Sequence, residues 1–99
     1  MKMTDEFFEP VAERFRVLGE PARLRILNAL KSGEAAVGEL VEQTGLTPAN
    51  LSKHLQMLHA LGFVKRRKQG LFVYYSLADV DVFRLCDIMC GRLPVNKRR

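Results

Sequence analysis

A short glycine-containing turn between two amphipathic segments is the feature that most constrains how this chain can fold. Apolar residues at helical spacing predict a short helix over residues 37–44. Gly45 then suits a left-handed cap, and Thr47 followed by Pro48 suits the N-cap and first residue of another helix. That helix is predicted to continue to Gly62. A short helix, a turn with glycine and a longer amphipathic helix predict a helix-turn-helix unit.

The segments that precede this unit predict two more helices. The first spans residues 5–18, with an apolar stripe and acidic residues in its first turn, and Gly19 ends it. The second begins at Pro21, turns Leu24 and other apolar residues inward, and ends at Gly33.

The segment that follows the unit changes to β-forming residues. Two predicted strands, residues 63–68 and 71–77, are separated by Gln69-Gly70, which predicts a hairpin tip. A last amphipathic helix is predicted over about residues 79–93. The expected fold is therefore mainly α with a β-hairpin wing: a winged helix-turn-helix with four helices, two strands and a fifth helix in that order.

The distribution of charge favours a nucleic-acid partner. The net charge is +5, but the last three residues are all cations, so we expect residues 1–95 to form one domain and residues 96–99 a basic tail. Between Glu42 and Asp79 the chain has no acidic residue and five lysine and arginine residues. An acid-free basic stretch in an otherwise nearly neutral body is typical of a surface that binds phosphate, although a solvated charge cluster has the same composition.

Other classes of protein fit the sequence less well. No apolar run is long enough to span a membrane, and the acidic N-terminal segment does not predict a secretory signal. Cys86 and Cys90 do not form a disulfide framework, so a reduced, cytoplasmic setting is expected. His54 and His59 have no nucleophile or metal constellation around them, so we predict no enzyme activity, no catalytic residue and no cofactor.

Four motifs occur in order along the chain. They are LGEPARLRIL at residues 18–27, VGEL at 37–40, LSKHLQML at 51–58, and GFV at 62–64 followed by YYSL at 74–77. In this order and spacing the chain resembles the ArsR/SmtB group of bacterial winged-helix repressors. The resemblance implies a homodimer built from the first and last helices. It also implies double-stranded DNA with a palindromic operator as the partner, and repression that an inducer relieves.

The second helix of a helix-turn-helix enters the major groove. A helical wheel that turns the leucines inward leaves one side of this helix free for DNA. The residues that we expect to contact DNA from it are Thr47, Ala49, Asn50, Ser52, Lys53, His54 and Gln56. Asn50 and Gln56 suit adenine, and Lys53 suits guanine or phosphate. His54 lies on the flank of the apolar stripe, so a hydrogen bond within the domain is the alternative for it.

The wing offers a second set of contacts. Strand alternation sends neighbouring side chains to opposite faces, so we expect only two or three of the wing's polar residues to reach phosphate or the minor groove. Arg67, Lys68 and Gln69 lie nearest the predicted tip and are preferred over Lys65 and Arg66. A hairpin that only carries solvated charge is the alternative.

The resemblance also allows a test for the metal sites of the family. Members that sense arsenic-type metals have a Cys-x-Cys pair in the third helix, where this chain has Ala36 and Gly38. Zinc-sensing members combine aspartate, histidine and glutamate on the last helix, where this chain has Asp79 and Asp81 but no histidine. Because soft metals need thiolates and zinc needs more than two carboxylates, no metal site is predicted.

Cys86 and Cys90 are the one chemical lead to an inducer. They lie one turn apart on the last predicted helix and project to the same face. Two such thiols could share a soft metal or arsenite with the partner subunit, or react with an oxidant, a persulfide or an electrophile. They also lie within an apolar stripe, where cysteine commonly acts as a small hydrophobic residue. Thiol sensing and a purely structural role are both open at this point.

A winged helix that contacts another protein and has no affinity for DNA is the alternative function. The acid-free basic stretch argues against it, because a protein partner would not require that sign of charge.

Overall fold

The computed structural model describes residues 4–93, and its elements follow the predicted order. The helices are α1 (Asp5–Leu18), α2 (Pro21–Ala29), α3 (Val37–Thr44), α4 (Pro48–Ala60) and α5 (Asp81–Cys90), and the strands are β1 (Ala35–Ala36), β2 (Val64–Gln69) and β3 (Phe72–Leu77). The predicted winged helix-turn-helix is confirmed. The predicted basic tail, residues 96–99, lies outside the described residues. None of the helices within residues 4–93 is long and apolar enough to cross a membrane.

The turn of the helix-turn-helix forms because its residues cap both helices. Gly45 has φ 75° and its N–H donates to Val41 O at the end of α3. At the start of α4, the N–H of Asn50 donates to the side-chain oxygen of Thr47 over 3.2 Å, and Pro48 occupies the first turn. These caps satisfy backbone groups that the helix ends would otherwise leave without partners.

The core lies where α4 crosses α2 and α3. Leu51, Leu55 and Leu58 of α4 are each at most 1% exposed. They belong to one apolar cluster with equally buried residues of the other two helices and the turn after α2, Ile26, Leu27, Leu30 and Leu40. Burying a side chain of this size contributes about 1.5–3 kcal/mol, so the buried face of α4 is strongly specified.

The sheet contains a strand that the sequence did not predict. Strand β1 has only two residues and pairs antiparallel with β3, so the order is β1-β3-β2. Two residues are too short to show the alternation by which strands are recognised. The hairpin tip is also displaced by one residue from the prediction. Gln69 pairs with Phe72, so the turn is Gly70-Leu71, with Gly70 at φ 60°.

Leu24 of α2, which was predicted to face inward, is 40% exposed. Phe7, Phe8 and Phe15, on the apolar stripe of α1, are exposed as well. The inward residue of α1 is Val17, which is 4% exposed. Periodicity identified the apolar sides of these helices, but it did not show whether other residues of the same chain bury them.

Gly45→Ala tests the cap that ends α3. An alanine at φ 75° is strained, so we expect the free energy of unfolding to fall by about 1 kcal/mol. Gly38→Ala is the matched control, because Gly38 lies in α3 without a positive φ and a Cβ there meets nothing within 4 Å. The control should be neutral or slightly stabilising. Equal losses in urea unfolding would contradict the assignment of the cap.

Candidate nucleic-acid interface

The side of α4 that faces away from the core is polar and open to solvent. The expected DNA contacts that lie exposed on it or at its start are Thr47, Ala49, Asn50, Ser52, Lys53 and Gln56. On the opposite side of the helix, three leucines are buried in the core. The structure therefore brings these predicted residues together on one accessible helix face.

Thr47 has a structural role that still leaves it a donor. Its side-chain oxygen accepts the N–H of Asn50 at the helix start. A hydroxyl can accept one bond and donate its hydrogen to another group. A phosphate at the N-terminus of α4 would also meet the positive end of the helix dipole.

His54 differs from its neighbours on α4, because it is half-buried and bonded within the domain. Its Nδ1 lies 3.0 Å from Nη1 of Arg23, a residue of α2. A guanidinium has only donors, so Nδ1 is the acceptor and the ring is neutral, with its hydrogen on Nε2. This geometry favours the hydrogen bond within the domain over a direct contact with DNA.

The surroundings of His54 lower its pKa from the ordinary 6.5. Burial is the main cause, the positive charges of Arg23 and Lys53 act in the same direction, and Glu20 opposes them. His54 is therefore neutral at pH 7 and can accept the guanidinium hydrogen.

The pairing register places the wing's polar residues on two faces. Val64 is buried, so Arg66 and Lys68, which alternate with it along β2, share its face of the sheet. Lys65, Arg67 and Gln69 lie on the other face. Across the hairpin, Arg67 is opposite Tyr74 and Gln69 is opposite Phe72.

Arg67 is held by three groups of its own domain. Its Nε and Nη2 donate to the two carboxylate oxygens of Glu34 over 2.9 and 2.8 Å. Its Nη1 donates to Oε1 of Gln69 over 2.6 Å, and the guanidinium carbon lies 4.6 Å from the ring centre of Tyr74. These contacts use the donors on which a bidentate bond to phosphate would depend.

The pair with Glu34 changes the electrostatics of the wing. The Arg67 hydrogen bonds lower the pKa of Glu34, and the Glu34 hydrogen bonds raise the pKa of Arg67. The Arg67 charge is thus neutralised by an acidic residue from outside the acid-free stretch. Lys65, Arg66 and Lys68 are exposed and form no ion pair with any residue between 4 and 93.

Nothing in the sequence predicted the pairing of Arg67 with Glu34. Glu34 lies 33 residues before Arg67, and only the pairing of β1 with β3 brings it beside the wing. The sequence also did not single out Leu71, which occupies the tip and is 98% exposed. Its β-forming neighbours made it part of the second predicted strand.

The two cysteines have different environments. Cys86 is partly buried against the core, whereas Cys90 is exposed. Burial raises the pKa of Cys86, with the charges of Cys90 and Asp87 acting in the same direction. Both thiols line an open cavity of about 590 Å³ between α1, α2 and α5, whose walls are mainly apolar. Within the described part of the chain, no three His, Cys, Asp or Glu residues are grouped to hold a metal ion.

Comparison with known proteins connects this geometry to one family. A family profile described as "Bacterial regulatory protein, arsR family" matches residues 20–66. The uncharacterized HTH-type transcriptional regulator Rv0081 of Mycobacterium tuberculosis is 37% identical over 83 residues, which cover 83% of this chain and 73% of that protein. A transcriptional repressor SmtB homolog of Synechocystis is 38% identical over 77 residues, which cover 78% of this chain and 58% of the homolog.

Solved structures agree with the sequence matches. The crystal structure of Rv0081 has a TM-score of 0.79 at 35% identity and covers 89% of each chain. A solution structure of the Mb0332 fragment from Mycobacterium bovis is described as a homodimeric winged helix-turn-helix DNA-binding domain. Its TM-score is 0.80 at 28% identity, and the match covers 100% of this chain and 97% of the fragment.

The lowered pKa of His54 predicts how stability depends on pH. The unfolded chain takes up a proton near pH 6.5, whereas folded His54 does so only at a lower pH. The free energy of unfolding should therefore fall as the pH is lowered from 7.5 to 5.5. His54→Gln should reduce this dependence, and His59→Gln, at the chain's other histidine, should preserve it. Urea unfolding at several pH values measures the effect, and equal pH profiles for the two variants would refute it.

Proposed function

This chain belongs to the arsR family of bacterial regulatory proteins, and from that premise we propose that it represses transcription as a homodimer bound to a palindromic operator. The observation that supports the proposal most directly is the exposed polar face of α4. It is presented to solvent on a helix whose opposite side is fixed by Leu51, Leu55 and Leu58. A rigid helix with one free polar side is what the major groove accepts.

The contacts proposed for α4 follow from side-chain chemistry. Asn50 and Gln56 read adenine, and Lys53 reads guanine or contacts phosphate. Ser52 and Thr47 donate to phosphate, and Ala49 allows the helix to approach the bases closely. His54 is not assigned a base or phosphate contact, because its Nδ1 is already bonded to Arg23.

The wing supplies contacts that are mainly electrostatic. We assign phosphate contacts to Lys68 first and to Arg66, which is on the same face. Arg67, which the sequence favoured, is instead bonded to Glu34, the residue before β1, and Gln69, also favoured, accepts a hydrogen bond from Arg67. A hairpin fixed in this way presents Lys68 at a defined position, and β2 itself packs against α4.

The homodimer is proposed to form through α1 and α5. Large apolar side chains on these helices remain exposed in the single chain, among them Phe8, Phe15, Ile88 and Met89. Exposed apolar surface of this extent on two neighbouring helices marks a protein interface. Two-fold symmetry of the protein then requires a palindromic operator.

The proposed role in transcription also bears on enzyme activity and on location in the cell. Its family consists of DNA-binding regulators rather than enzymes. We place it in the cytoplasm, because that is where a bacterial operator is found.

For the inducing signal, we propose that Cys90 is the more reactive thiol. In the single chain it is exposed and lies in the open cavity next to α1, a helix of the proposed dimer interface. Cys86 has a raised pKa, so less of it is thiolate at neutral pH. Modification of Cys90 would add bulk at the interface helix, whereas Cys86 contributes to packing.

Salt dependence of operator affinity tests the DNA-binding proposal. The probe is a palindromic fragment that the protein selects from a random-sequence pool, and log K is measured against log salt concentration. Affinity should fall steeply with salt, and Lys68→Ala should make the slope shallower by about one unit.

Two matched variants separate the free cations of the wing from the paired one. Arg67→Gln removes the same charge as Lys68→Ala but should leave the slope nearly unchanged, because Glu34 already occupies Arg67. Glu34→Gln should make the slope steeper by about one unit, because it frees Arg67. Binding that does not depend on salt, or no selected fragment at all, would instead support a protein-binding module.

Thiol modification tests the role of Cys90. In the folded protein, Ellman's reagent should react with Cys90 several times faster than with Cys86, and the Cys90→Ala protein should stay bound to its operator in the presence of the reagent. Cys86→Ala is the matched control and should still be released. If the reagent releases both variants equally from DNA, modification of either thiol is sufficient and the special role proposed for Cys90 is wrong.

A further inference from the structure

One guanidinium connects three helices of the molecule. Arg23 stands in the first turn of α2 and is half-buried. Its Nε donates to the carbonyl of Val17 in the last turn of α1. Its Nη1 reaches α4, where it lies 3.0 Å from Nδ1 of His54 and 3.2 Å from the sulfur of Met57. Arg23 therefore links the end of α1 to the middle of α4.

A second arginine links α1 to the other end of α4. Nη1 of Arg14 donates to the carbonyl of Leu61 over 2.9 Å, and Leu61 is the C-cap residue of α4. The Arg14 guanidinium carbon also lies 5.4 Å from the ring centre of Phe63. The two arginines thus tie α1 to α4 at separate points along α4, which restricts its tilt as well as its position.

These ties differ from the apolar packing in what they specify. Leucine contacts are non-directional, so they bury one side of α4 but allow small rotations. Hydrogen bonds from a charged guanidinium to a carbonyl or a ring nitrogen require a particular angle and distance. The arginines supply the directional part of how α4 is attached to α1.

We propose that Arg23, together with Arg14, is a positioning residue that fixes the orientation of α4 relative to α1. In the dimer, this orientation aligns the α4 helices of the two subunits with the two half-sites of the operator. The inference rests on the proposed function, in which α1 meets the partner subunit and α4 enters the major groove. The two half-sites lie about 34 Å apart on one side of the duplex. A small tilt of each α4 relative to the dimer axis therefore prevents the two copies of α4 from binding both half-sites at once. Non-specific binding to DNA, which depends on the positive charge of the surface, is retained.

Because of the charges around His54, the proposal predicts how operator affinity depends on pH. The groups that act on it are Arg23 of α2, Lys53 of α4 and Glu20 at the start of α2. Protonation places a hydrogen on Nδ1, so the ring can no longer accept from Arg23 and two positive charges face each other. Operator affinity should consequently fall as the pH is lowered from 7.5 to 5.5. A histidine that contacted phosphate directly would produce the opposite trend, since DNA would favour its protonated form.

The first experiment compares Arg23→Gln with Arg25→Gln. Arg25 lies in the same helix and is exposed, and its side chain forms no hydrogen bond or ion pair with the rest of the described chain. Affinities are measured for the selected palindromic fragment and for random-sequence DNA of equal length, across a range of salt. Dimer mass by sedimentation and unfolding by circular dichroism are checked for each variant.

Arg23→Gln should weaken binding to the palindrome by about tenfold. Its affinity for random DNA should change by less than about twofold, and its salt slope should equal that of the wild type, because Arg23 contacts no phosphate. Arg25→Gln should show neither effect. If Arg23→Gln lowers both affinities equally and makes the salt slope shallower, Arg23 is a phosphate contact and the inference is wrong.

The second experiment uses the pH profile and does not depend on Arg23→Gln folding well. His54→Gln retains an acceptor for Arg23 but cannot be protonated, so its affinity for the palindrome should be nearly independent of pH. His59→Gln should retain the pH dependence of the wild type. A wild-type affinity that rises toward pH 5.5, or equal profiles for the two variants, would overturn the inference. Failure of the wild-type protein to select any palindrome would instead contradict the proposed function itself.

Discussion

The burial of one leucine face of α4 against α2 and α3 is the interaction on which the rest of the structure depends. Leu51, Leu55 and Leu58 occupy the centre of the core, and the side that they bury determines which side of the helix is left to solvent. Because successive helical residues are 100° apart, the exposed positions are fixed once the leucines are placed. The exposed polar face of α4 is therefore a consequence of core packing.

Charged contacts refine what the leucines establish. Arg23 and Arg14 tie α4 to α1, and Arg67 ties the wing to β1 through Glu34. In each case an arginine uses directional donors to join elements that are far apart in the sequence. Exposed ion pairs contribute little to stability, so the role of these contacts is better understood as geometry than as stabilising energy.

The same arginines show the limit of arguments from composition. The stretch between Glu42 and Asp79 has no acidic residue, yet an acidic residue lies against it in space. Glu34 neutralises Arg67 and leaves Lys68 and Arg66 as the free cations near the wing tip. Charge counted along the chain thus located a basic surface but did not show that one of its cations is paired with a carboxylate.

The sequence by itself determined the order of the helices, the caps at Gly45 and Thr47 and the outward face of α4, because these depend on residues within a few positions of one another. Only the tertiary structure decided the pairing of β1 with β3, the environments of His54 and Arg67, and the exposure of the apolar side chains on α1 and α5. Each of these depends on groups brought together from distant parts of the chain. The local sequence shows whether a residue is apolar or basic, but not which partner the fold places against it.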